Sequence, residues 1–301
     1  MARPARWLTV PALLVLVLAI PAPASAVSPS GAPSALEPVG TPLTPPVRER
    51  PVRAPAMTDR RVVIISDSAM AGVRWHGALG GLRGFRSVPM LESCRRLVMA
   101  SCRGREGYAP RTAFEEIRQL PVAAPDDVLV IATGYNDSHE TFAGDVDWVM
   151  AAARERRFRH VAWVTYRSDT DYELPSSSLV RFARYKEMNR ILRARFLSGR
   201  YPEMQLWDLD RYTMAAPQWF LADGVHQSRL GAWAVADWLS RHVAAMDRRQ
   251  CPMPWTISGT RPRPCPLPDP LPAVIGPPDI AALYGLTGDL TGRPQPGPRL
   301  G

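Results

Sequence analysis

Short runs of β-branched and aliphatic residues recur along the middle of the chain, separated by longer stretches whose apolar positions return every three or four residues. Five runs read as strands: Val62–Ile65, Phe85–Pro89, Asp127–Thr133, His160–Tyr166 and Met204–Leu209. Val62–Ile65 is continuous rather than alternating, as in strands buried on both faces of a parallel sheet. Helical spacing predicts Ala69–Leu79, Arg111–Leu120, Asp145–Arg156, Leu179–Phe196 and Ser228–Met246, the last capped by Ser228. Such alternation argues for a three-layer α/β/α sandwich around a five-stranded parallel sheet. The expected strand order is the flavodoxin-like 2-1-3-4-5, which opens a crevice between the carboxyl ends of the first and third strands.

Polar residues gather where that crevice should lie. The first strand ends in Ser66-Asp67-Ser68 and the third in Gly134-Tyr135-Asn136-Asp137, so topology alone brings the two clusters together. A third cluster, Asp223-Gly224-Val225-His226, precedes the closing helix. Taken singly, each has a bland reading. Ser68 suits a helix N-cap, Asn136 a turn, Asp223 a loop brace, and His226 a half-buried surface position. Taken together, they make a nucleophilic site. A carboxylate three residues before a histidine can fold back onto one imidazole nitrogen, with Gly224 easing the bend, and leave the other nitrogen facing a serine hydroxyl.

The order SDS…G…GYND…DGVH resembles the SGNH, or GDSL-type, hydrolase superfamily from about Arg61 to Met246. The resemblance implies Ser68 as nucleophile, with His226 and Asp223 completing a triad. It also implies an oxyanion hole from the Ser68 N–H, the Gly107 N–H and the Asn136 amide. Gly104 is the alternative to Gly107, which better suits the distance to the helix near Arg111. The usual Gly-Asp-Ser-Leu stands here as Ser66-Asp67-Ser68-Ala69, a departure at positions that support the turn. The segments CRRLVMASC and VAWVTYR also resemble secreted actinobacterial members. Tyr135, inside the third-strand cluster, and His139 are candidates to line the pocket.

Outside this region the pattern changes. Arg3 and Arg6 precede an apolar run from Trp7 to Ile20 and then Ala24-Ser25-Ala26, the order of a secretory signal cleaved after Ala26. The run is shorter than the ~20 residues of a spanning helix and contains Pro11. Residues 27–57, rich in proline, serine and alanine, read as a linker to a hydrolase domain over residues 58–248. Residues 249–301 form a proline-rich tail whose only apolar patch is Ile280–Leu286. That tail is expected to wrap the domain or stay mobile.

Composition narrows the function. The 301 residues carry a formal charge of +9, but Lys186 is the only lysine and the arginines are scattered. No basic run interleaved with aromatics suggests nucleic acid, so the charge reads as a solvated surface suited to an anionic cell envelope. Export favours disulfides among the four cysteines. Proximity pairs Cys94 with Cys102 and Cys251 with Cys265 among the three possible arrangements. His76, His160 and His242 have no second ligand at metal spacing, and there is no P-loop, dinucleotide fingerprint or Gly-x-Ser-x-Gly elbow.

The expected protein is therefore a secreted or wall-associated monomeric serine esterase without metal or cofactor, acting on a small-molecule or glycan ester. Two alternatives stay open: an O-acyltransferase of envelope glycans using the same triad, and a catalytically silent envelope-binding module. Mass spectrometry of the secreted chain should find Val27 at its amino terminus. An intact Met1 terminus in the membrane fraction would refute the signal.

Overall fold

The computed structural model describes residues 60–168, 176–214, 216–246 and 280–292. The expected signal, the 27–57 linker, Cys251 and Cys265 lie outside these residues. The strands are β1 (Arg61–Ser66), β2 (Arg86–Leu91), β3 (Val128–Ala132), β4 (His160–Val164) and β5 (Met204–Trp207). All neighbours pair in parallel, in the order β2-β1-β3-β4-β5. The sequence expectation holds in both order and direction.

Side-chain alternation splits the core into two halves. Val62 and Ile64 of β1 pack on one face with α1 (Ser68–Trp75) and α6 (Arg229–Met246). Val63 and Ile65 pack on the other, with α2 (Ala113–Gln119), α3 (Phe142–Glu155) and α4 (Ser176–Leu197). β2 tolerates Pro89 because it is an edge strand. In register, Ser66 at the end of β1 stands beside Leu91 of β2 and Ala132 of β3. The chain leaves β1 and β3 toward opposite faces, which creates the crevice at their ends.

Several element ends differ from those expected, each for a local reason. The first helix stops at Trp75, and after a left-handed Gly77 the chain continues as a 3₁₀ turn over Ala78–Gly81. The second helix begins only after Thr112, which forms a capping box with Glu115. α3 starts three residues early, at Phe142. The short helix α5 (Leu209–Thr213), a 3₁₀ turn at Pro217–Trp219 and α7 (Ile280–Tyr284) are too brief for a periodic signal.

α7 extends the core. Tyr284 donates to Asp237 at 2.6 Å, within a buried Asp237–Arg241 pair, and Arg83 lies over the Tyr284 ring at 4.7 Å. The Leu230 N–H donates to the Leu290 carbonyl at 2.9 Å. This stretch of the proline-rich tail is thus tied to α6.

The start of α6 lies hard against the segment that carries His226. Ser228 caps it, accepting from the Gly231 N–H at 3.2 Å, as expected. A β-carbon at Gly231 would overlap the Trp219 carbonyl, whereas one at Gly144 in α3 meets nothing. Gly231→Ala should lower unfolding free energy in urea by about 1–3 kcal/mol, and Gly144→Ala should raise it by up to about 1 kcal/mol. Equal responses would show that the close approach at Gly231 is not what holds α6 there.

Candidate active site

The chain leaves β1 through Asp67, whose fully buried carboxylate organises both sides of the crevice. One oxygen caps α1, accepting from the Ala69 N–H at 2.9 Å. The other accepts from the Gly134 and Tyr135 N–H groups, each at 2.9 Å, and from the Thr133 hydroxyl at 3.4 Å. Burial raises the Asp67 pKa, and the three amides oppose that rise. Sequence reading gave Asp67 no role of its own. An acidic residue at the mouth of a buried strand was the available signal of its larger part.

With Asp67 as cap, Ser68 is the first residue of α1, so its N–H has no partner one turn back. Its hydroxyl lies 3.1 Å from His226 Nε2, and His226 Nδ1 lies 2.6 Å from Asp223 Oδ2. Asp223 Oδ1 accepts from the Val225 and His226 N–H groups at 2.9 and 3.0 Å. Gly224 turns the segment at φ 71°, and the Leu221 N–H donates to the His226 carbonyl at 2.8 Å. Arg167, fully buried, donates to the Gly224 carbonyl at 2.7 Å and stacks over Phe220 at 4.0 Å. The three residues expected to act together are therefore in one relay.

Asn136 follows β3, and its side-chain amide donates to the Arg95 carbonyl at 3.2 Å. Asp137 accepts from the Leu97 N–H at 3.1 Å, and burial pushes its carboxyl up to about 7. The segment facing Asn136 is thus 94–97, to which sequence reading gave no part in the site. It is braced by a Cys94–Cys102 disulfide, as expected. Within it Arg95 is fully buried, donating to the Ser66 carbonyl at 3.2 Å and to the Arg111 carbonyl at 2.5 Å, and pairing with Glu92. A buried arginine leaves no mark in hydrophobic periodicity.

Gly107 needs correction as an oxyanion donor. Its N–H donates to the Gly104 carbonyl at 3.1 Å, and the Gly104 N–H donates to the Tyr108 carbonyl at 2.8 Å. Both amides are spent within one exposed turn, so neither offers a free donor. The Ser68 N–H and the second amide hydrogen of Asn136 remain.

Tyr135 is buried, accepts from the Arg167 N–H at 2.7 Å and packs edge-on against Tyr166 and Tyr185. With Ala69, Phe220 and Val225 it lines a cavity of about 10 Å³, room for a water-sized group. His139 is partly exposed, 3.7 Å from Glu140. His76 meets the Gln227 carbonyl at 3.1 Å, and His242, buried against Trp207, is pushed down to about 3 by burial. Among the described residues no three His, Cys, Asp or Glu side chains gather as a metal would need.

The electrostatics distinguish the relay's members. For His226 the Asp223 hydrogen bond raises the pKa, and burial works against it. For Asp223 burial raises the pKa, but the His226 imidazole and two amides outweigh it and bring the carboxyl to about 2. The aspartate is therefore ionised wherever the imidazole titrates. An NMR titration should place the His226 midpoint above 6.5, and Asp223→Asn should lower it. An unchanged midpoint in that variant would mean the 2.6 Å contact does not govern the imidazole.

Among solved structures, the chain is similar to a carbohydrate acetylesterase from Sinorhizobium meliloti, at 14% identity and a TM-score of 0.47, over 62% of this chain and 100% of that one. It is similar to the native aryl esterase of M. smegmatis at 16% identity and a TM-score of 0.45, over 61% and 98%. The catalytic domain of a Streptococcus pneumoniae peptidoglycan O-acetyltransferase matches at 18% identity and a TM-score of 0.41, over 64% and 95%. No protein-family model and no curated protein matches the chain. Likenesses this distant decide nothing about the reaction, which rests on the site geometry above.

Proposed function

We propose that the protein is a serine ester hydrolase of the SGNH type, exported by the signal ending at Ala26. The observation that carries this reading is the relay from Ser68 Oγ through His226 to Asp223, at 3.1 and 2.6 Å. His226 Nε2 takes the hydroxyl proton as Ser68 Oγ bonds to the ester carbonyl carbon. The carbonyl oxygen becomes an oxyanion facing the Ser68 N–H and the Asn136 amide. When the tetrahedral intermediate collapses, the alcohol leaves with the proton from His226 and an acyl-serine remains. Water then attacks, giving its proton to His226, and the acid departs as Ser68 is restored. Asp223 holds the imidazole in the tautomer with hydrogen on Nδ1 and stabilises its cation.

Fluorophosphonate labelling tests the nucleophile, and turnover of p-nitrophenyl esters tests hydrolysis. Labelling without turnover would instead favour transfer of the acyl group to a sugar hydroxyl. Ser68→Ala and His226→Ala should each remove nearly all covalent turnover, without additivity in the double variant. Asn136→Ala should lose about 10²–10³ in kcat with KM nearly unchanged, because the charge it meets exists only in the transition state. Asp223→Asn should fall between these extremes. Because the free imidazole is the base, kcat/KM should rise with pH through a midpoint above 6.5. Full activity in Ser68→Ala would overturn the assignment and return Ser68 to the plain role of a helix residue.

A further inference from the structure

Two guanidinium groups beside the crevice have no carboxylate partner among the described residues. Arg184 of α4 donates to the Tyr135 carbonyl at 3.0 Å, and that carbonyl belongs to the peptide group leading into Asn136. It lies over the Tyr185 ring at 5.1 Å, and its Nε is buried with no hydrogen-bond partner. Arg181 stands one turn earlier on the same helix, three residues away, and donates to the Ser178 hydroxyl at 3.1 Å. Its positive charge reaches far enough to disfavour protonation of His226.

Among the described residues the acidic groups nearby are already engaged. Asp67 is occupied by amides and a hydroxyl, Asp137 by Leu97, and Asp223 by His226. Glu187, further along α4, is paired with Arg190 at 2.6 Å. Other arginines of the fold do find carboxylates: Arg61 with Asp127, Arg195 with Asp147 and Arg241 with Asp237. A guanidinium offers paired N–H donors that match a carboxylate or phosphate, and it keeps its charge at any physiological pH.

Resting on the Ser68 nucleophile reading, we infer that Arg181 and Arg184 select esters that carry an anionic group, carboxylate or phosphate, close to the scissile bond. Arg184 is the anchor, since its guanidinium is already fixed against the peptide beside Asn136. Arg181 adds charge one turn away on the same helix. A neutral ester would use the same relay without this attraction.

The test compares phenyl acetate with 4-carboxyphenyl acetate and 4-phosphonooxyphenyl acetate, each rate corrected for its alkaline hydrolysis. The anionic esters should show kcat/KM about tenfold or more above the neutral one, and the larger advantage tells carboxylate from phosphate. That ratio should shrink at about 0.5 M NaCl, where screening is severe. It should fall several-fold in Arg181→Gln and approach one in the Arg181→Gln/Arg184→Gln pair. Arg184→Lys, which keeps the charge, should retain part of the preference. A wild-type ratio near one, with Ser68 still labelled by fluorophosphonate, would overturn this inference and leave the hydrolase reading intact. So would a ratio that the paired variant does not move. A chain that takes up no probe and cleaves none of the three esters would sink both.

Discussion

The buried carboxylate of Asp67 is the constraint on which the site depends. It joins the ends of β1 and β3 through bonds from Ala69 on one side and from Thr133, Gly134 and Tyr135 on the other. Every group that reaches it is a donor, so its surroundings serve an acceptor on both oxygens even though burial favours the neutral acid. An asparagine of the same shape would turn an amide N–H₂ toward backbone N–H groups, leaving buried donors unmet. Because the same side chain caps α1 and seats the Gly134-Tyr135 turn, Ser68 and Asn136 are placed by one group. Residues 68 positions apart thereby share a single rigid origin.

Two buried arginines carry that origin outward. Arg95 binds the Ser66 and Arg111 carbonyls and offers its own carbonyl to Asn136. Arg167 reaches from the end of β4 to the Gly224 carbonyl in the turn that holds Asp223 and His226. Both use a guanidinium to brace main-chain oxygens. This alters the meaning of the net charge: Arg95, Arg167 and Arg241 lie wholly inside, so part of the basic excess is internal scaffolding rather than solvated surface.

The sheet was legible because its central strands are unbroken β-branched runs buried on both faces, as in RVVIIS and VLVIA. Helix ends were less so. Thr112 and Gly77 set them through capping and a left-handed turn, which periodicity does not register. α5 and α7, at five residues each, never complete the pattern that identifies a helix. Arg95, Arg167 and the role of Asp67 depend on what lies opposite them in space. No local spacing announces such partners.

The same distinction separates the two halves of the site. Asp223 and His226 are three residues apart, and their contact is closed by the turn between them, with two of the aspartate's bonds going to amides of that same turn. A local sequence can encode such a unit completely, and it was readable as one. The expected oxyanion hole drew on three distant segments, and the misreading fell there. A glycine at plausible spacing has its amide spent in its own turn, while the carbonyl that holds Asn136 comes from an arginine between two bonded cysteines. The Asp223–His226 pair is thus organised locally, whereas the setting of Asn136 is organised by tertiary contact. The disulfide-braced loop is where those two levels meet.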